Sequence, residues 1–231
     1  MKMESKNIII TGTSRGIGFE MVKYLGVNHN VLALTRNANS MDSLQKSNTN
    51  ITILKVDITK IADLKVITNF VQTNWIKVDI IIHNAGMLVH KPFFKTSLDD
   101  FINVYKINVF AVAELTKKMM PFLHKGGHVV AISSMGGIQG SLKFAGLSAY
   151  SSSKGALITL MELLAEEYKD SGIAFNTLAL GAVQTEMLAQ AFPGFKAPVT
   201  AAEMSQYISD FSLTGNIIYN GKVLQVSNST P

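Results

Sequence analysis

The chain contains no cysteine. Disulfide bonds, zinc–thiolate centres and thiol catalysis are excluded with it, and a reducing, cytoplasmic setting becomes the expectation. Charge is also scarce. Asp, Glu, Lys and Arg make up 16% of the 231 residues, against 47% hydrophobic residues. That balance excludes a disordered or fibrous chain. Purely apolar runs are only a few residues long, so no transmembrane helix is expected. Near the N-terminus the run Ile8-Ile9-Ile10 stops at Thr11-Gly12, which is too short for a signal-peptide core. Proline-rich linkers, internal repeats and long charge runs are missing too. One domain over residues 1–231 is therefore expected.

The net charge is +5. Its positive residues are scattered, and Lys117-Lys118 is the one adjacent basic pair. A nucleic-acid groove needs a clustered basic stripe. Neither a nucleic-acid nor a membrane partner is expected; an anionic small ligand suits the surface better.

What the chain does have is alternation. Short β-branched runs fall at Asn7 to Thr11, Val31 to Thr35, Ile51 to Val56, Ile80 to His83, His128 to Ser133 and Ile173 to Leu180, with a last strand near Lys222 to Val226. Most are almost wholly apolar, as expected for strands buried on both faces of a parallel sheet. Helical patterns lie between them, at Gly16 to Leu25, Ile61 to Trp75, Leu98 to Leu123 and Ala149 to Ser171. The polar stretch from Asn37 to Asn50 suits a loop or a short exposed helix. This order predicts an α/β fold: a Rossmann-like, doubly wound, mostly parallel sheet with helices on both faces.

The first strand ends in Thr11-Gly12-Thr13-Ser14-Arg15-Gly16-Ile17-Gly18, and a helix follows at once. Glycines permit the sharp turn and a close approach of backbone to a bulky anion. The free N–H groups at the helix start suit a pyrophosphate. At the end of the second strand, beside the expected adenosine ribose, stand Thr35 and Arg36 rather than an acidic residue. Arg15 and Arg36 together point to a 2′-phosphate, because guanidinium forks match phosphate oxygens. NADP(H) is therefore expected in preference to NAD(H).

Tyr150 and Lys154 stand four residues apart, on one helix face. A phenol with a reference pKa of ~10 is a poor base at neutral pH, and a nearby ammonium favours its ionised form. Just upstream, Ser133-Ser134 close a strand, where open α/β sheets bind ligands. No G-x-S-x-G occurs, which disfavours a nucleophilic serine.

In this order the motifs resemble the short-chain dehydrogenase/reductase family, in its compact subfamily. They comprise Thr11 to Gly18, Asp57, Asn84-Ala85-Gly86, Asn108, Ser133-Ser134, Tyr150 with Lys154, and Leu180-Gly181 followed by Thr185. The resemblance implies carbonyl–alcohol interconversion by hydride transfer. Tyr150 would be the general acid or base. Lys154 would tune it and bind the nicotinamide ribose. Ser134 would polarise the substrate carbonyl, and Asn108 would hold a water of a proton relay. The glycine turn with Gly12, Ser14, Arg15, Gly16, Ile17 and Gly18, then Arg36, Asp57, Ile58, Asn84, Ala85, Gly86, Val183 and Thr185, would hold the dinucleotide. No metal is implied. The other candidate function is a catalytically idle NADP-binding sensor or scaffold.

The chain departs from the family pattern at three places. The Ser134–Tyr150 interval is longer than usual, which leaves Ser133 as well as Ser134 open as the substrate-facing serine. Leu180 stands where a proline is usual. The stretch after Thr185 is short, so residues 186–200 would form only a small substrate lid. A homodimer or homotetramer is also implied, paired through the two long helices. The surplus apolar positions there are Phe110, Val112, Leu115 and Met119 on one, and Leu157, Leu160, Met161 and Leu164 on the other.

Overall fold

The computed structural model describes residues 4–227. In chain order the elements are β1 (Asn7–Thr11), α1 (Gly16–Gly26), β2 (Asn30–Thr35), α2 (Asp42–Ser47), β3 (Ile51–Lys55), α3 (Ile61–Asn74), β4 (Val78–His83), α4 (Leu98–Tyr105), α5 (Ala111–Met119), β5 (Leu123–Ser134), α6 (Ser148–Glu167), β6 (Ala174–Leu180), β7 (Val183–Gln184), α7 (Glu186–Ala191), β8 (Val199–Thr200), α8 (Ala201–Thr214) and β9 (Val223–Val226). Seven strands form one sheet in the order β3-β2-β1-β4-β5-β6-β9, and each pairing is parallel. The order reverses direction between β1 and β4, so a crevice opens above their carboxyl ends.

Strand residues alternate between two cores, because successive side chains leave opposite faces of a sheet. Ile9, Leu32 and Ile81 pack with Leu64 and Ile67 of α3, Leu115 and Met119 of α5, and Leu157 and Met161 of α6. Ile8, Ile10 and Ile82 pack with Met21 and Leu25 of α1 and with Ile208 and Phe211 of α8. Burial on both faces is why these strands are almost wholly apolar.

Four sequence expectations change. The long helix expected to run to Leu123 ends at Met119; a 3₁₀ turn over Met120–Phe122, with Pro121 in it, precedes β5. Strand β5 therefore begins at Leu123, five residues before the expected His128, and its register against β4 slips between Val78 and Ile80. Helix α8 was not expected at all. Lastly, Val112, Leu115, Met119, Leu157 and Met161 are not surplus. They are buried against the sheet, and Leu164 is packed on that core. Of the named positions, Phe110 is the exposed one; the outer apolar surface of these helices is Leu98, Ile102, Phe110 and Leu163.

Two histidines are sealed in the interior. His128 Nδ1 lies 2.9 Å from Ser212 O and its Nε2 lies 3.0 Å from Asn176 Nδ2. Asn176 Oδ1 accepts from Lys222 N, so Nδ2 must be the donor and His128 is held neutral with its proton on Nδ1. Burial pushes His128 down to about 4 and His83 down to about 3. Both stay neutral in the folded chain while the unfolded chain protonates them below ~6.5. The unfolded state then binds more protons, so stability is full above ~6.5 and is lost as pH falls toward the folded-state values. Each histidine contributes about 1.4 kcal/mol of loss per pH unit in that window. The melting temperature should drop between pH 7 and pH 5; a flat Tm across that interval would contradict the sealed, neutral state.

No helix among the described residues is long and apolar enough to cross a membrane.

Candidate active site

The crevice is a single cavity of about 650 Å³, a size usual for small-molecule and cofactor sites. Every dinucleotide residue expected from the sequence lines it, from Gly12 to Thr185, and so do Ser134, Tyr150 and Lys154. Asn108 is the exception. It lies behind the wall, fully buried.

At one end the glycine turn leaves β1. Gly12 has φ +71° and a Cβ there would fall 2.7 Å from Ala85 Cα. Gly18 is more constrained: a Cβ would fall 2.2 Å from Gly12 O. These contacts let α1 start hard against β1. Asn84 fixes the arrangement, with Nδ2 donating to Thr11 O at 3.1 Å and Gly12 O at 3.0 Å. Thr11 Oγ1 accepts from Asn84 N and Ala85 N. Helix α1 begins with no side-chain cap and no acidic residue in its first turn. Its first N–H groups are therefore available to an anion.

Arg15 and Arg36 are the two arginines of the chain, and both line this end. Asp57 is partly committed: its Oδ1 accepts from Thr59 N at 3.0 Å and Thr59 Oγ1 at 2.8 Å. Burial pushes its carboxyl upward, but these bonds, with Arg36 and Lys60 nearby, hold it below the usual range.

At the other end the catalytic candidates meet. Adjacent serines on β5 point opposite ways. Ser133 Oγ donates to Lys154 O at 2.9 Å and so ties β5 to α6. Ser134 hydrogen-bonds the Tyr150 phenol and accepts from Gly136 N at 3.2 Å. The serine beside the tyrosine is Ser134, while Ser133 is turned to α6. Lys154 is buried and its Nζ donates to Ile132 O at 2.7 Å. The Nζ stands 5.7 Å from the centroid of the Tyr150 ring. Burial lowers Lys154 to about 8. Burial also raises Tyr150, and the Ser134 bond only partly offsets it. The Lys154 ammonium gives one of its three N–H bonds to a backbone carbonyl, and burial outweighs its pull on the phenol, which is raised rather than lowered.

Asn108 sits in a π-helical turn over Lys106–Phe110, between α4 and α5. Such a turn bulges the helix and re-aims one side chain. Here Asn108 Oδ1 accepts from Met87 N at 2.8 Å, while Nδ2 donates to Met87 O and to Ser153 Oγ, both at 2.9 Å. One Oδ1 lone pair remains. A Cβ on Gly86 would lie 3.6 Å from both Asn108 Oδ1 and Lys154 Nζ, so the bare glycine keeps the space between them open. Near the mouth, Thr185 Oγ1 caps α7 by accepting from Leu188 N at 3.2 Å.

Sequence reasoning did not single out Leu88, Ile107, Phe144, Leu147 or Leu188, which also line the cavity. Leu88, Phe144 and Leu147 lie outside helices and strands, and Ile107 and Leu188 in short helical turns, where apolar residues carry no spacing signal that separates lining from core. Among the described residues no cluster of His, Asp and Glu could hold a metal.

A family model described as short chain dehydrogenase matches residues 6–194. The chain belongs to the short-chain dehydrogenase family. It is thus an oxidoreductase that works between hydroxyl and carbonyl groups. The 7alpha-hydroxysteroid dehydrogenase of Escherichia coli K12 is 29% identical over 195 residues, covering 81% of this chain and 75% of that one. A short-chain dehydrogenase from Burkholderia cenocepacia, solved with NADP, has the same fold with a TM-score of 0.87 at 22% identity, over 99% of both chains. A 4-hydroxyisoleucine dehydrogenase solved with NADH superposes with a TM-score of 0.85 at 22% identity, over 97% of this chain and 98% of that one.

Proposed function

We propose that this short-chain dehydrogenase uses NADP(H) in preference to NAD(H) and interconverts a carbonyl and an alcohol on a small molecule, with Tyr150 as general acid and base. One observation carries this reading: Ser134, Tyr150 and Lys154 line the same cavity as the glycine turn, with Asn108 directly behind. A protein that only binds a dinucleotide needs no such set.

The residues present fit a dinucleotide. The α1 start offers free N–H groups, and Arg15 and Arg36 offer guanidinium forks for a phosphate. Gly12, Ser14, Gly16, Ile17 and Gly18 line the turn, while Asp57, Ile58, Asn84, Ala85 and Gly86 line the adenosine side. Lys154, Val183 and Thr185 line the nicotinamide side. When bound, the nicotinamide supplies or accepts the hydride. The protein's own residues manage the proton and the charge. Ser134 holds the substrate oxygen beside the phenol. Tyr150 passes its proton to that oxygen during reduction and takes it back during oxidation. The Lys154 ammonium stabilises the phenolate left behind, and Asn108 supports a water that returns the proton from solvent. Residues 186–200 close over the substrate. A cytoplasmic site of action belongs to the same reading, because reduction draws on the cell's nicotinamide pool.

Oxidation of NADPH with a panel of ketones, aldehydes and 3-oxoacyl thioesters tests the reading. Turnover of at least one carbonyl is expected; binding of NADPH without turnover of any would favour the idle sensor. Replacing Arg15 and Arg36 by alanine should weaken NADPH binding roughly 10- to 100-fold and leave NADH binding nearly unchanged. Equal dissociation constants for NADPH and NADH in the unmodified protein would contradict the 2′-phosphate assignment.

A homodimer or homotetramer completes the proposal. Leu98, Ile102, Phe110 and Leu163 expose an apolar surface on α4 to α6 that one chain leaves uncovered. Light scattering should give two or four times 25.1 kDa; a single species of 25.1 kDa at micromolar concentration would contradict it.

A further inference from the structure

We propose that His90 is a positioning residue that clasps a roof over the substrate end of the cavity, and that this roof selects a bulky, uncharged apolar ketone or alcohol. The proposal rests on the oxidoreductase reading above.

His90 lies in the loop after β4, outside every motif of the dinucleotide site. Its Nδ1 stands 2.7 Å from Ala191 O, the last residue of α7. Its Nε2 stands 3.2 Å from Ala145 O, in the segment that leads into α6. Both ring nitrogens face carbonyl oxygens, so an N–H on either one ties the ring to one of the two segments. The same ring lies 5.2 Å from the Phe192 ring, and Phe192 meets Phe144 edge-on at 6.0 Å. A backbone bond from Lys91 N to Gly146 O, 3.0 Å, runs beside the clasp. Gly146 is required for this contact. Its φ is +86°, and a Cβ there would fall 2.4 Å from His90 Cδ2. Three segments distant in sequence thus converge on one imidazole.

Beneath the clasp, Met135, Phe144, Leu147, Met187, Leu188 and Phe192 line the cavity around Ser134 and Tyr150. The charged lining residues are Arg15, Arg36, Asp57, Lys154 and Glu186. The first three belong to the dinucleotide end. Glu186 faces the α1 start, where a Cβ on Gly16 would lie 3.6 Å from its Oε2. Lys154 Nζ gives one bond to Ile132 O, and in the reading above its remaining donors serve the phenol and the ribose. A substrate carboxylate under the roof would meet no cation beyond the Lys154 already given to the phenol and the ribose, and an unpaired buried charge is costly. An apolar ring system would instead gain aromatic and aliphatic contacts with each carbon buried.

The test compares reduction of 2-decalone, acetone and pyruvate with NADPH, in the unmodified protein and in variants. The kcat/KM for 2-decalone should exceed the other two by roughly 100-fold, from the apolar area it buries. His90→Ala should raise KM for 2-decalone roughly tenfold, the loss of a hydrogen bond and a ring contact, with kcat, NADPH dissociation constant and Tm little changed. His90→Gln, which keeps an N–H donor, should recover part of that KM. Phe192→Ala should erode the preference with His90 intact. An unchanged KM in His90→Ala overturns the clasp, and so does a loss shared equally by kcat, NADPH affinity and Tm. Equal use of all three carbonyls overturns the substrate class and leaves the oxidoreductase reading standing. Failure of every carbonyl in the unmodified protein overturns both.

Discussion

Replacing Tyr150 by phenylalanine should lower kcat by ~10²–10⁴ while NADPH affinity and Tm stay close to those of the unmodified protein. The ring keeps its packing over α6; the missing atom is the hydroxyl that carries the proton. Burial raises the phenol, and its partner is Ser134 rather than a backbone group. Nothing else at this end of the cavity replaces it. Lys154 Nζ is held by Ile132 O, and Ser133 Oγ by Lys154 O. The neighbouring variants should differ in kind. Ser134→Ala removes the hydrogen-bond partner of the phenol and should mainly lower kcat. Ser133→Ala breaks the tether of β5 to α6 and should cost stability of about 1 kcal/mol with a smaller effect on turnover. Lys154→Ala should lose both rate and NADPH affinity, since the proposed mechanism gives one ammonium to both the phenol and the ribose. Steady-state kinetics, NADPH titration and melting on the four variants separate these outcomes. Near-normal turnover in Tyr150→Phe would remove it as the proton donor.

Gly18→Ala should abolish tight dinucleotide binding without touching any proton-transfer residue. The added Cβ would meet Gly12 O at 2.2 Å and Asn84 Nδ2 at 2.6 Å. A backbone oxygen cannot step aside as a flexible side chain can. Helix α1 must therefore retreat from β1, and Asn84 loses its bonds to Thr11 O and Gly12 O. Overpacking of this kind costs ~1–3 kcal/mol or more. The same retreat displaces the free N–H groups of the α1 start from the cavity. NADPH affinity should fall by about 10²-fold and Tm should fall with it. Unaltered affinity together with an unaltered Tm would contradict the close-packed turn.

The parallel sheet was legible because its strands are buried on both faces and so read as short apolar runs. Helix α8 was not. It opens with a capping box, Thr200 with Glu203, which is a readable start signal. Its buried face, however, includes Ser205, Ser209 and Ser212, and these break the apolar period. Ser205 and Ser212 return their hydroxyls to backbone carbonyls of their own helix, so their burial leaves no trace in hydropathy. The start of β5 was hidden for a different reason. Residues His124 to Gly127 look like a loop, yet Leu123 already pairs with Val78 across the register slip.

The site divides in the same way. Gly12, Gly18 and Asn84 were readable because their chemistry is backbone geometry at fixed spacing. The choice between Ser133 and Ser134 was not, since it depends on strand parity, which a long following loop does not fix. Asn108 could be read as a polar residue in a long helix, but not the π turn that aims it at Met87 and Ser153. His90 could not be read at all. Its partners Ala145 and Ala191 offer only backbone oxygens, and a backbone carbonyl leaves no mark on a sequence.

The most direct measurement follows the hydrogen itself. An unlabelled ketone is reduced with NADPH deuterated at the transferable position of the nicotinamide, and the alcohol is weighed by mass spectrometry. Hydride transfer to the carbonyl carbon, with Tyr150 supplying an exchangeable proton to the oxygen, predicts an alcohol one mass unit heavier, labelled at the carbinol carbon. Consumption of NADPH that yields unlabelled alcohol, or no alcohol, would contradict it.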